Sequence, residues 1–288
     1  MSLLSLLSLL SLMSLVFLPR APGVRRYHGE VRSGFITADG RRLETRWVGP
    51  SPEEAPTLVF LHEGLGSVSL WRDFPDRLAG RTGCGALIYS RAGYGKSDPA
   101  PLPRPVRFMH DEAAILPEVL EQSKIRESIL VGHSDGASIA LIYAGSRAAA
   151  GLRGLILEAP HVFTEPHGLA SIAKMAEVYR TSDLRERLAR HHGANVDIAF
   201  RGWNDVWLHP DFRAWNIEEY LPAVKVPILI LQGEDDEYGT WRQVEAIERQ
   251  AGGPVEAVAL ADCGHSPHRE QPEQALQAMA EFVERLVR

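Results

Sequence analysis

Ser134, Asp236 and His265 are the three residues of this sequence whose types, order and surroundings suit them to work as one chemical unit. A serine hydroxyl is a poor nucleophile until a base accepts its proton and an acid orients that base. Ser134 lies in Gly132-His133-Ser134-Asp135-Gly136, a Gly-x-Ser-x-Gly pattern that closes an apolar run and opens a helical one. The glycines suit a sharp, strained turn, and the helix behind it aims its N-terminal N–H groups at the space above the serine, which favours developing negative charge. Asp236 in "LQGEDDEYG" is the expected acid, with Asp235 its competitor because strand ends are uncertain by about a residue. His265 in "LADCGHSPHREQP" is the expected base, following a glycine that lets its loop turn back.

Charge that builds on a carbonyl oxygen needs fixed donors. After "TLVFLH" comes Glu63-Gly64-Leu65-Gly66, and the expected donors are the backbone N–H groups of Gly64 and Asp135. Substrate contacts are assigned to His62, Trp203 and Trp207, since aromatic-lined clefts are the usual small-molecule sites. Among the other histidines, His133 is read as support for the turn, and His191, His192 and His268 as solvated. No His-x-x-x-His or His-Glu-x-x-His spacing occurs, so no metal is expected, and no cofactor is required because water completes this chemistry.

These groups must be carried by elements that bring distant points together. "SGFITADGRRLETRWVG" reads as a hairpin turned at Asp39-Gly40. The runs 57–62, 85–90, 128–133, 154–159, 227–233 and 255–261 lack polar alternation, as strands buried on both faces of a parallel sheet do. Helical patterns over 109–123, 136–149, 240–251 and 272–287 fall between most of them. The 65 or so residues between "GLILEAP" and "VPILILQG" exceed one crossover. Phe200, Trp203 and Trp207 recur there at helical spacing, either packing this stretch onto the body or lining a pocket, and both readings make it a lid. The expected division is a core of 27–160 and 225–288, a helical lid at 161–224 and a low-complexity extension at 1–26.

The chain has 288 residues, 45% of them hydrophobic, enough for one sizeable core with an insertion. A net charge of -6 without a long basic run argues against nucleic acid as a partner. Two cysteines, Cys84 and Cys263, form no ligand cluster, which fits a reducing, cytoplasmic compartment. "MSLLSLLSLLSLMSLVFL" has a period of three that fits neither helix nor strand and is followed, not preceded, by Arg20, Arg25 and Arg26. It reads as an extension or an early start. The alternatives are a membrane anchor that leaves the rest of the chain in the cytoplasm, or a signal peptide.

In "FLHEGLGS", "YSRAGYGKSD", "VGHSDGAS", "LQGEDDEYG" and "CGHSPHREQPE", in that order over residues 57–273, the chain resembles α/β-hydrolase fold enzymes of the lidded esterase, lactonase and C–C hydrolase type. The resemblance implies a mostly parallel eight-stranded sheet flanked by helices, with the lid inserted after the sixth strand. It implies Ser134 as nucleophile, Asp236 as orienting acid and His265 as base. Family members commonly carry His-Gly-x at the oxyanion loop, whereas this chain has His62-Glu63-Gly64, which leaves the donor register between Glu63 and Gly64. An acid beside the nucleophile resembles relatives similar to valacyclovir hydrolase, so Asp135 either attracts an amine or matters only through its backbone, its side chain being a solvated or a helix N-terminal acid. Serine at the elbow excludes the carboxylate-nucleophile dehalogenases and epoxide hydrolases. The expected partner is a small-molecule ester, thioester or lactone, with C–C hydrolysis of ring-cleavage diketones or a non-catalytic binding role as alternatives.

Overall fold

The computed structural model describes residues 31–146 and 149–288. The low-complexity extension at 1–26, with its anchor and signal-peptide alternatives, lies outside the described residues. Eight strands form one sheet: β1 (Val31–Ala38), β2 (Arg41–Val48), β3 (Thr57–Leu61), β4 (Gly85–Tyr89), β5 (Ser128–His133), β6 (Leu152–Glu158), β7 (Ile228–Gly233) and β8 (Val255–Leu260). Their spatial order is β1-β2-β4-β3-β5-β6-β7-β8, antiparallel for the pairs β1/β2 and β2/β4 and parallel from there on. The hairpin turns at Asp39 and Gly40, both with positive φ (51° and 67°), the backbone a two-residue turn of this hand requires.

Every residue of β3, β4, β5 and β7 is buried, which explains their unbroken apolar runs. Successive side chains go to opposite faces. Val59, Leu61, Leu87, Leu130, Leu155 and Ile230 join the cluster under helices α2 (Phe108–Gln122), α3 (Asp135–Ser146) and α7 (Arg242–Gln250). Leu58, Phe60, Ile88, Val131, Ile156 and Leu231 join the opposite cluster with α1 (Phe74–Thr82) and α8 (Pro272–Val287). β8 departs from the expected burial on both faces: as the last strand it is half-exposed along most of its length. Helix α1 was not legible as an element, although Phe74, Leu78 and Ala79 give it a buried stripe.

Between β6 and β7 run α4 (Pro166–Thr181), α5 (Leu184–His192) and α6 (Val196–Trp207), followed by 3-10 turns at Pro210–Ala214 and Glu218–Ala223. Phe200, Trp203 and Trp207 are all buried on one side of α6 and belong to the core cluster. Among the described residues no helix is long and apolar enough to cross a membrane.

Candidate active site

Ser134 sits between β5 and α3 with φ +53°, a left-handed conformation that costs a serine energy and is maintained only where the surroundings enforce it. They do so here by close approach. A Cβ on Gly136 would lie 2.0 Å from the Leu61 carbonyl oxygen, and one on Gly132 would lie 2.5 Å from the Gly136 carbonyl oxygen. Helix and strand therefore meet at a separation only glycine permits. The Ser134 N–H also donates to the Glu158 carbonyl of β6 at 2.9 Å, which pins the turn across the sheet.

The structure brings the three expected side chains together. Ser134 Oγ is 2.9 Å from His265 Nε2, and His265 Nδ1 is 2.9 Å from both oxygens of Asp236. Asp236 is further held by the N–H groups of Tyr238 and Gly239 at 2.8 and 3.1 Å and by Gln232 Nε2 at 2.7 Å. Its competitor Asp235 is exposed. Burial would push the Asp236 carboxyl upward, but His265 and these donors outweigh it and hold the group well below the usual carboxylate range. Burial likewise opposes charge on His265, yet the Asp236 carboxylate pushes its imidazole up to about 9. The histidine loop is bracketed by Glu270, whose oxygens accept from the N–H groups of Gly264 and Ser266 at 2.8 and 2.9 Å.

Ser134 opens into a cavity lined by Glu63, Gly64, Trp203, Trp207 and His161, among others. Glu63 and Gly64 both face it, and Glu63 Oε2 lies 3.5 Å from His133 Nδ1. His133 supports the turn as read: its Nε2–H donates to the His265 carbonyl at 2.7 Å. His161 was missed. Burial and the neighbouring His265 lower its pKa to about 4, so it presents a neutral imidazole, and its ring centroid is 5.5 Å from that of His265. The available signal was its place just past the end of β6, on the sheet edge that carries the other groups.

Four expectations need correction. His62 does not contact the cavity: it is fully buried, its Nε2 accepts from the Arg91 N–H at 3.1 Å, and its Nδ1–H donates to the Glu63 carbonyl at 2.7 Å. Asp135 is the helix N-terminal acid of one alternative, the first residue of α3, but it is neither solvated nor open to a substrate amine. Its side chain is fully buried, Oδ1 accepts from Trp207 Nε1 at 3.1 Å, and Oδ2 lies 4.0 Å from Arg91. His192 is buried, accepting from the Gly95 N–H and donating to the Leu65 carbonyl, both at 3.0 Å. His268 is buried against Glu158, 2.8 Å away. Together with His133, this pair is a buried group of possible metal donors, with ligand atoms mutually within 4.8 Å, that no sequence spacing announced.

Three comparisons bear on this geometry. The chain is 24% identical over 262 residues to 2-succinyl-6-hydroxy-2,4-cyclohexadiene-1-carboxylate synthase of Salmonella paratyphi C (strain RKS4594), covering 81% of this chain and 96% of that one. The esterase EaEST from Exiguobacterium antarcticum superposes with a TM-score of 0.67 at 21% identity, over 88% of this chain and all of its own. The esterase RhEst1 from Rhodococcus sp. ECU1013 superposes with a TM-score of 0.66 at 19% identity, over 89% and 99%. Both are likenesses of fold. The sequence profile of the Alpha/beta hydrolase family matches residues 58–278, a span that contains the glycine-backed serine turn, the acid loop and the histidine loop, and the chain belongs to that family.

Proposed function

We propose that the chain is a serine hydrolase that cleaves carboxylic esters of small molecules, thioesters and lactones included, through an acyl-serine intermediate. The observation that carries this reading is the unbroken path Ser134 Oγ, His265 Nε2, His265 Nδ1, Asp236 at hydrogen-bond distances, opening on a cavity walled by Trp203, Trp207 and Tyr238. Ser134 attacks the acyl carbon as His265 takes its proton. Asp236 fixes the imidazole tautomer and stabilises the imidazolium. The tetrahedral oxyanion is received by the N–H groups of Gly64 and Asp135, the leaving alcohol takes the proton from His265, and water repeats the sequence to release the acid. Helices α4–α6 act as the lid, with Trp203 and Trp207 as its substrate-facing wall. Cys84 and Cys263, both free and buried, are in keeping with a reducing cytoplasmic location.

A fluorophosphonate probe tests the reading. Folded wild-type protein is expected to be labelled at Ser134 and Ser134→Ala not at all. A panel of p-nitrophenyl esters alongside ring-cleavage diketones identifies the bond broken. Absence of labelling, or full esterase turnover in folded Ser134→Ala, refutes the proposal.

A further inference from the structure

Arg91 follows β4 and reaches beneath both walls of the site. It is 1% exposed. Its Nη1 donates to the His62 carbonyl and its Nη2 to the Glu63 carbonyl at 3.1 Å, so one guanidinium forks over two consecutive carbonyls of the glycine loop. The Glu63 carbonyl also accepts from His62 Nδ1–H at 2.7 Å and from the Gly66 N–H at 3.1 Å, and that histidine is held in the right tautomer by the Arg91 backbone N–H. Across the site, Arg91 Nη2 lies 4.0 Å from the Asp135 carboxylate. Trp207 Nε1 fixes the other oxygen of that carboxylate at 3.1 Å.

A trans peptide holds its N–H opposite its C=O. Clamping the carbonyls of His62 and Glu63 on the Arg91 side therefore turns the N–H groups of Glu63 and Gly64 to the other side, and both residues line the cavity beside Ser134. A cation on the carbonyl end of a peptide also polarises it and strengthens the donor at its far end.

We propose that Arg91, assisted by His62, is a positioning residue for the oxyanion hole: it sets the peptide planes of the 62–64 loop and, through Asp135, ties that loop to the second donor. Gly64, whose preceding carbonyl is held by both residues, is the better-fixed donor of the loop. This rests on the serine-hydrolase reading, and the two fail separately. The brace acts only as charge develops on oxygen, so its loss lowers kcat while KM changes little.

The test compares the full wild-type chain with Arg91→Lys, which keeps the charge but not the fork. The readouts are kcat and KM on a p-nitrophenyl ester, and the inhibition constant of an alkyl boronic acid, whose tetrahedral adduct on Ser134 uses the same donors. Since losing one oxyanion donor costs about 100-fold to 1,000-fold, Arg91→Lys is expected to lose about 100-fold in kcat, with KM within about threefold and boronic acid affinity weakened in parallel. A folded Arg91→Lys with wild-type kcat, or with reduced kcat and unchanged boronic acid affinity, overturns the inference. Should that variant not fold, His62→Asn and His62→Leu carry the test. Asn retains an N–H for the Glu63 carbonyl and keeps kcat and boronic acid affinity within about tenfold, whereas Leu loses both, and equal values in the two folded proteins overturn the inference. A wild-type chain that the fluorophosphonate does not label refutes the reaction itself.

Discussion

Replacing Gly64 by alanine isolates the contact between the glycine loop and the helical insert. A Cβ built at Gly64 lies 2.1 Å from Trp203 Cδ1, 2.4 Å from Nε1 and 2.8 Å from Cγ, so the overlap falls on the indole ring and not on a flexible tip. Relief requires a shift of more than an ångström. Trp203 is buried, with Phe200 and Tyr238 at ring-centroid distances of 6.1 and 6.4 Å, so it cannot swing away without disturbing α6. Overpacking of this kind costs about 1–3 kcal/mol, which lowers the melting temperature by roughly 2–4 °C per kcal/mol in a domain of this order of size. A misplacement of about 1 Å at reacting groups costs about 100-fold in rate. Gly64→Ala is therefore expected to melt several degrees lower and to lose about 100-fold in kcat. The deciding assay is a double-mutant cycle with Trp203→Ala, read by thermal unfolding and by p-nitrophenyl ester turnover. With the indole gone the alanine fits, and its stability cost should vanish even though Trp203→Ala is itself destabilising. If Gly64→Ala costs the same with and without Trp203, the steric reasoning is wrong.

The raised pKa of His265 sets the sign of the pH dependence: the imidazole must be neutral to accept the Ser134 proton, so kcat/KM falls as pH drops through a midpoint between the ordinary 6.5 and about 9. Asp236→Asn removes the main cause, so it should shift that midpoint downward and reduce kcat by about 10⁴-fold; a pH–rate profile whose midpoint does not move contradicts the assignment. Trp207→Phe deprives the buried Asp135 carboxylate of its indole donor and should cost about 1–3 kcal/mol in urea unfolding; an unchanged transition midpoint would show that the bond contributes nothing. Gly136→Ala puts a methyl group 2.0 Å from the backbone oxygen of Leu61, and soluble, cooperatively melting protein from that variant would contradict the close approach described at the elbow.

The parts legible in sequence are those written locally. The Asp39-Gly40 turn carries its own backbone requirement, the apolar runs of β3, β4, β5 and β7 record burial on two faces, and Ser134, Asp236 and His265 each follow a strand. Asp236 was separable from Asp235 only in space, by the donors of Gln232, Tyr238 and Gly239. Side chains whose meaning depends on partners far along the chain were not legible. Asp135 looks like an exposed helix-terminal acid until Trp207 is seen against it. His62 looks like a cavity residue until Arg91, 29 positions away, is seen to use its ring. His192 and His268 read as loop histidines because their partners, the Leu65 carbonyl and Glu158, lie 127 and 110 positions away. β8 misled in the opposite direction, since an apolar run does not reveal that its strand ends the sheet.

The insert between β6 and β7 is joined to the reaction centre at three points: Trp203 against Gly64, His192 on the Leu65 carbonyl, and Trp207 on Asp135. Chimeras that import this segment from a relative would thus inherit a mismatched rate apparatus along with a new binding profile. Exchanging the 62–66 loop and position 135 together with the segment treats the three as one transplantable module.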